Sequence, residues 1–393
     1  MSIAAAVVVL CCVVSLGLYA AAWVLVFAWA CRQRRPLRPR MPCGVTVLKP
    51  LCGADDELED NLASFFHLDH EPLQLVFGAA DPHDPALALV RRLARLHPHR
   101  DVTIVAGATG DAASPKIAVM EALLSRARHD ILLLSDSNVR VAHDEVGEVL
   151  PSFVDETVGM VYQPVVGIGE RSVAAAFENL HYTEFAGCLS IAAAVLAGQH
   201  AVNAKGQWVR RAALADIGGF SQVRDSAADD YMLSRLVVAA GWTLRMAPVP
   251  VRIVHRDWSW QGLVQRHLRH AGLRRRVCPW AYPLELLLNP LPWTLLLAAV
   301  GGGGFVLPLV ILKMALEISA ARLLRGMPLA WRHAMLIPLK DALYCTGWFA
   351  SFAVRTVTWR GRSYTIGPRA RLVPVAASRG LLHNDAVPPA ADL

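Results

Sequence analysis

The sequence predicts an α/β domain with a largely parallel sheet, held between apolar segments of membrane-spanning length. Three observations predict this. Between about Gly44 and Arg276, short β-rich runs alternate with stretches of helical spacing, which is the rhythm of βαβ units. Residues 1–31 carry no charged side chain, and neither do residues 286–312. The hydrophobic share of the whole chain is 54%, above that of an ordinary soluble enzyme.

Ser2–Ala30 exceeds the roughly 20 apolar residues that a bilayer span requires. It lacks the basic start and short apolar core of a cleaved signal peptide, so it reads as an uncleaved anchor. Arg32, Arg34, Arg35, Arg38 and Arg40 follow it. By the positive-inside rule that flank, and the domain after it, face the cytosol.

Gly44–Leu48 is the first predicted strand. In Asp56–Phe66, Leu58, Leu62, Phe65 and Phe66 fall on one side of a helix. Leu73–Phe77, Val102–Val105 and Ile131–Leu134 predict further strands, and Pro85–Leu96 and Pro115–Arg128 the helices between them. In such sheets ligands bind outside the carboxyl ends of the strands. Asp81, Asp84 and Asp136 each follow a strand, so they should gather on that edge.

Leu286–Leu312 is long enough to span, although Pro290, Pro292, Gly301 to Gly304 and Pro308 should kink it. Ala334–Val354 is a second candidate, interrupted by Lys340-Asp341. A simple hairpin of two spans would put Lys313, Arg322, Arg325 and Arg332 on the side the positive-inside rule disfavours. A third short span or an interfacial helix resolves this. The chain thus divides into an anchor at 1–31, a cytosolic domain at 44–276, a membrane region at 283–358 and a tail at 359–393.

The net charge of +7 is mostly juxtamembrane arginine, and Arg274-Arg275-Arg276 suits anionic headgroups or phosphates. No nucleic-acid module signature occurs, so nucleic acid is not an expected partner. The eight cysteines form no C-x-x-C pair and read as scattered buried thiols, reduced in a cytosolic domain. The absence of G-x-G-x-x-G and Walker sequences argues against dinucleotide and ATP chemistry.

Asp136 ends an apolar run, Asp229-Asp230 are adjacent carboxylates, and Arg266 and Arg269 share a helix face. A nucleoside diphosphate leaves poorly unless its charge is neutralised. A hard cation, Mg²⁺ or Mn²⁺, does this when held by one or two carboxylates and the phosphates. Asp136 suits that ligand role. Acceptor attack needs a base in reach of the hydroxyl, and Asp229-Asp230 fits. The planar donors of Arg266 and Arg269 suit a diphosphate. Each residue also has a plainer reading: Asp136 as a turn residue, Asp229-Asp230 as helix-start carboxylates, and the arginines as headgroup contacts. His255, His267 and His270 lack the spacing of a metal site. Trp258 and Trp260 read as interfacial or pocket-wall aromatics.

The chain resembles the ceramide glucosyltransferase family and its bacterial relatives, including hopanoid-associated glycosyltransferases. The residues that carry the resemblance start at Gly44-Val45-Thr46-Val47-Leu48-Lys49-Pro50-Leu51-Cys52-Gly53. They continue through Glu59-Asp60-Asn61-Leu62-Ala63-Ser64-Phe65-Phe66, Ala80 to Ala86, and Ser114-Pro115-Lys116-Ile117. Asp136-Ser137, Gly218-Gly219, Asp229-Asp230-Tyr231, the arginine pair and Trp359 to Tyr364 follow in order, over roughly 44–366.

The resemblance implies a GT-A type, Rossmann-like fold and inversion at the sugar's anomeric carbon. It puts Asp81 or Asp84 at the nucleotide, Asp136 at the metal and diphosphate, and Asp230 in the place of the catalytic base. Lys116, Arg266 and Arg269 join the nucleotide-sugar site, with Asp229 and His270 beside it or toward the acceptor. His270 stands where the family has Trp, Asp229 where many relatives have Glu, and Asn203 to Trp208 departs from the relatives. The implied reaction moves a sugar from a UDP-sugar to a lipid hydroxyl, first glucose to ceramide and second N-acetylglucosamine to a hopanoid. A processive polysaccharide synthase and an inactive membrane scaffold are the readings from other classes.

Overall fold

The computed structural model describes residues 2–33, 43–53, 57–110, 114–200, 202–203, 205–354, 356–359, 362–367 and 371–375. Arg34, Arg35, Arg38, Arg40, Asp56, Ala204, Arg360 and Gly361 lie outside them. The uncharged start forms one long helix, α1 (Ile3–Gln33). The α/β domain opens with β1 (Val45–Leu51), α2 (Leu58–Phe66), β2 (Leu73–Ala79), α3 (Pro85–Leu96) and β3 (Asp101–Ala106). Next come α4 (Pro115–Leu124), β4 (Ile131–Leu134), β5 (Val139–Arg140), α5 (Glu145–Val149), β6 (Val158–Tyr162) and β7 (Val165–Ile168). A continuous helical stretch follows: α6 (Val173–His181), a π-helical segment Tyr182–Leu189, and α7 (Ser190–Ala197). The domain closes with β8 (Gln207–Arg210), α8 (Arg211–Asp216), α9 (Asp229–Ala239), β9 (Thr243–Met246), β10 (Val251–Val254) and α10 (Trp260–Val277). The remaining elements are α11 (Pro290–Leu297), α12 (Gly303–Arg325), α13 (Trp331–Ala334), α14 (Ile337–Ala350), β11 (Thr356–Trp359), β12 (Arg362–Ile366) and β13 (Leu372–Pro374).

The main sheet has the order β3-β2-β1-β4-β8-β6-β9. From β3 to β4 all pairs are parallel. β2 and β4 are buried along their whole length and β1 at all but one residue, as parallel strands covered on both faces should be. Leu62, Phe65, Leu87 and Val90 pack on one face, and Ile117, Met120, Leu123, Leu233 and Val237 on the other. Helix α3 keeps its predicted limits because Asp84 caps it, accepting from Ala86 N at 2.9 Å, with Pro85 at the first helical position. The predicted helix Pro115–Arg128 stops at Leu124.

The largely parallel expectation holds, since β6 and β9 also pair in parallel, and the departure from it is one strand. β8 is antiparallel to both β4 and β6. It enters from the opposite end, with Gln207 opposite Leu134 and Arg210 opposite Ile131. The residues just before β8 therefore lie at the carboxyl edge of the sheet, beside the end of β4.

Among the described residues, three helical stretches are long and apolar enough to cross a membrane: Ile3–Arg32, Val173–Ala197 and Pro290–Arg325. The second falls inside the region read from sequence as a cytosolic domain. The third is broken at Val300 and Gly301, where Gly301 has φ 96°, within the predicted glycine run. Ala334–Val354 does not form the span it suggested. Its helix is the 14-residue α14, about 21 Å long against a hydrocarbon core of about 30 Å. Val26 and Trp29 of α1 pack with Ile191, Ala320 and Leu324, so the first and last of these stretches join the Val173–Ala197 helix in one bundle.

Lys340 and Asp341 are buried rather than exposed interruptions. They belong to a cluster with Glu184, Lys313 and Glu317. Lys313 lies 2.6 Å from Asp341 and 3.3 Å from Glu184, and also pairs with Glu317. Lys340 lies 2.8 Å from Glu317 and 3.0 Å from Asp341, and also pairs with Glu184. The oxygens of Glu184, Glu317 and Asp341 come within 4.8 Å of one another, a grouping able to hold a metal ion. The two ammoniums already sit among them. Buried charges persist only when paired in this way.

The tail forms an antiparallel sheet, β11–β12–β13. Tyr364, Ile366 and Leu372 pack with Ala227 and Leu273, and Leu372 N–H donates to Asp225 O at 2.7 Å. The tail thus braces the turn that leads into α9.

Candidate active site

The carboxyl edge of the parallel strands collects the predicted acids. Asp136 follows β4, and Asp229 and Asp230 are the first residues of α9, where the helix dipole favours negative charge. Lys116, in the first turn of α4, bridges them. Its Nζ lies 2.9 Å from Asp229 Oδ2 and 3.4 Å from Asp136 Oδ1. Lys116, Ser135, Asp136, Gln207 and Asp229 line one small cleft. Burial alone would raise the Asp136 carboxyl, but Lys116 and Lys205 outweigh it and hold it well below the usual carboxylate range. Burial would lower Lys116, yet Asp136 and Asp229 raise it above the usual lysine value. Both groups are therefore fully ionised at neutral pH.

Asp230 is fixed at the same helix start. Its Oδ1 accepts from Tyr231 N–H at 2.8 Å, and its carbonyl accepts from Gln207 Nε2 at 3.2 Å. The two candidates for the first acidic element separate. Asp81 is exposed at the edge and accepts from His83 N–H at 2.8 Å. Asp84 is buried, and both its oxygens are engaged, by Ala86 N–H and by Gly53 N–H at 2.8 Å. Asp84 ties the end of β1 to α3.

Arg266 is boxed rather than open. Its Nε lies 2.9 Å from Glu178, and its Nη2 donates to the Tyr182 hydroxyl. Its guanidinium lies 5.4 Å from the Tyr182 ring centre and 5.2 Å from that of Trp258. Trp258 thus packs against Arg266 and His255, while Trp260 packs on Phe177. Arg269, half-buried one turn later, stands within electrostatic range of Glu178. His270 is half-buried, and burial together with Arg266, Arg269 and Arg274 pushes it well below the usual histidine value. It is neutral, so it adds no charge to this arginine face.

Several site residues escape the sequence reading. Lys49 is fully buried. Its Nζ donates to Asp136 O at 2.6 Å and to Ser135 Oγ at 3.3 Å, and it lies 3.9 Å from the Phe65 ring centre. Its signal was the Val47-Leu48-Lys49-Pro50-Leu51 element. Lys205 lies 2.5 Å from Asp136 Oδ2 and 3.1 Å from Asn138 Oδ1. It falls in Asn203 to Trp208, the stretch that departs from the family pattern. Asn138 Nδ2 donates to His255 Nε2 at 3.1 Å, and His255 Nδ1 donates to Asn179 Oδ1 at 3.0 Å. Burial, with Arg266 and Lys205 nearby, pushes His255 well below its usual value. His255 thus acts as a neutral strut and not as a metal ligand.

Residues 7–372 match the model of glycosyl transferase family 21. The chain belongs to this family. Ceramide glucosyltransferase 3 of Caenorhabditis elegans is 24% identical over 256 residues, covering 65% of this chain and 56% of that protein. Ceramide glucosyltransferase 1 of the same organism is 26% identical over 204 residues, covering 52% and 43%. The chain spans about half the length of these curated relatives. A solved mannosyltransferase from Pyrobaculum calidifontis, in complex with GDP-Man and Mn²⁺, is similar at 18% identity and a TM-score of 0.48, covering 87% of this chain and 99% of that one. In this family 21 chain the mixed α/β sheet, with its acids on one edge, is the GT-A type domain that the resemblance implied, joined to helices of spanning length.

The oxygens of Asp136 and Asn138 converge on a positive charge, the Lys205 ammonium. An ionised carboxylate beside a neutral oxygen donor is a fitting set for a hard divalent cation. Asp136 would hold it, with Asn138 next to it.

Proposed function

We propose that this chain is a membrane-bound, inverting glycosyltransferase that moves a sugar from a UDP-sugar to a lipid hydroxyl, with glucose to ceramide as the first assignment. The observation that carries this reading is the meeting of Asp136, Lys116 and Asp229 at one sheet edge, with Asp230 next to Asp229 at the start of α9 and within electrostatic range of Lys116, in a domain that shares its α6–α7 helix with a bundle of helices of spanning length.

In the proposed reaction Asp230 takes the proton of the acceptor hydroxyl. The hydroxyl oxygen bonds to the anomeric carbon opposite the diphosphate. The bond from that carbon to the phosphate oxygen breaks, and UDP leaves with the electron pair. A divalent cation, when bound, supplies charge neutralisation to the leaving diphosphate. Lys116 holds Asp136 and Asp229 in place. Arg266, oriented by Glu178 and Tyr182, adds positive field on the same side.

The test is transfer from labelled UDP-glucose into organic-extractable product with ceramide as acceptor. Activity should vanish with chelator and return with Mg²⁺ or Mn²⁺. Label retained in a polymer would point to a polysaccharide synthase. Full activity in chelator would leave the lysines and arginines as the whole counter-charge.

We also propose that the α/β domain faces the cytosol, because Arg32 and the arginines after it follow the first span. Glu156 is exposed in that domain. With Glu156→Cys on a cysteine-free background, an impermeant thiol reagent should leave intact cells unlabelled. Labelling would reverse the orientation and require a lipid-linked donor.

A further inference from the structure

Asp136 has a cation on each oxygen, and the two cations differ. Lys116 is shared with a second carboxylate, Asp229, at 2.9 Å, so it is tied into the site from two sides. Lys205 contacts Asp136 Oδ2 at 2.5 Å and a neutral oxygen, Asn138 Oδ1, at 3.1 Å, with no second carboxylate in a salt bridge to it among the described residues. That oxygen is aimed at the ammonium by the Asn138–His255–Asn179 chain of side chains. Asn179 is itself anchored, donating to Ile168 O at 2.9 Å and His255 O at 3.0 Å. The site is therefore built to present two oxygens to one positive charge.

The backbone under Lys205 is held while its side chain is long. Gly206 O accepts from Gln163 N–H at 2.9 Å. A Cβ at Gly206 would lie 2.6 Å from Gln163 Oε1, so a larger residue there would have to displace the Gln163 side chain. Gln163 in turn accepts from Trp208 Nε1 at 2.9 Å. The start of β8 is clamped, and a four-carbon stem with three rotatable donors extends from it.

We propose that Lys205 is an exchangeable counter-ion of the nucleotide site: it occupies the cation position on Asp136 when the site is empty, and turns its ammonium onto the phosphate oxygens when a divalent cation arrives with the diphosphate. The inference rests on the nucleotide-sugar reading above. At equal distance a divalent cation attracts Asp136 twice as strongly as an ammonium does. A cation arriving alone would crowd one carboxylate with Lys116, Lys205 and itself. A diphosphate brings the negative charge that lets both cations stay. Lys205 thus makes cation binding depend on nucleotide.

The experiment titrates Mn²⁺ by electron paramagnetic resonance on the full chain in detergent, with and without UDP, in wild type, Lys205→Met and Lys205→Arg. In wild type, Mn²⁺ should bind weakly alone and tightly with UDP. Lys205→Met should bind Mn²⁺ alone more tightly, by roughly tenfold or more, the usual effect of removing a like charge at this range. Its UDP affinity in saturating Mn²⁺ should fall by roughly the same factor as a lost ammonium–phosphate contact. Lys205→Arg should stay near wild type. Adding Asp136→Asn should abolish the Mn²⁺ gain. Damage to the fold would weaken both ligands, so a gain in Mn²⁺ affinity is a signature that misfolding does not produce. Unchanged Mn²⁺ binding in Lys205→Met, with normal UDP binding in wild type, would overturn the role of Lys205 alone. Absence of UDP binding in wild type would overturn this inference and the nucleotide-sugar reading together.

Discussion

Asp230→Asn should lose about 10²–10⁴-fold in turnover, the range for removing a general base, while binding UDP as wild type does. The substitution isolates the proton-accepting oxygen. Asparagine keeps an Oδ1 that can accept from Tyr231 N–H, the contact of 2.8 Å that fixes the side chain. The carbonyl of residue 230 keeps its bond from Gln207. Lys116 pairs with Asp229 and Asp136, so the counter-charge network is not broken. The loss should appear in kcat, with little change in the KM for UDP-sugar, because the interaction removed belongs to the transition state. Near-normal turnover would take Asp230 out of the mechanism and leave Asp229 to be tested as the base. A variant that also failed to bind UDP would show that residue 230 shapes the donor site instead.

The sequence made the parallel half of the fold legible because its signals are local. Asp84-Pro85 is a cap and a helix start in two residues, and Ile131–Leu134 is an apolar run that ends on Ser135-Asp136. β8 was not legible. Its antiparallel place beside β4 depends on pairing across more than 70 residues, and a four-residue run, Gln207–Arg210, carries no mark of direction. The acids of the site could be named because a carboxylate after a strand is unusual. Of the lysines that set their charge, Lys116 could be named from its Ser-Pro-Lys-Ile element, but two others could not. Lys49 and Lys205 look like surface residues until the fold turns them inward. The helix from Val173 to Ala197 misled for a related reason. Glu178 and Glu184 interrupt its apolar character, yet both are buried and paired, one with Arg266 and the other with Lys313 and Lys340. Charge that reads as solvent exposure in a sequence can be internal pairing in the fold.

Lys340→Met should destabilise the protein by roughly 3–5 kcal/mol, the cost of leaving buried charges without a partner. Lys340 is fully buried and faces Glu184, Glu317 and Asp341. Its removal leaves three carboxylates to Lys313 alone. These residues sit on the π-helical segment, α12 and α14, so the same pairing clips the catalytic domain's helix to the C-terminal bundle. Methionine matches the stem of lysine in length and adds no polar atom, which confines the change to the charge. The measurement is thermal unfolding in detergent, followed by loss of the monodisperse species. Methionine at this site would be tolerated if the cluster were only a set of weak contacts, and an unchanged midpoint would reject the pairing as a source of stability. Lys340→Met combined with Glu184→Gln restores the original excess of one negative charge. That double variant should recover part of the loss, because residues in one network do not add independently. If instead it is worse than Lys340→Met by the full cost of Glu184→Gln alone, Lys340 and Glu184 are not energetically coupled, and the bundle is held by its apolar packing around Val26, Ile191 and Leu324.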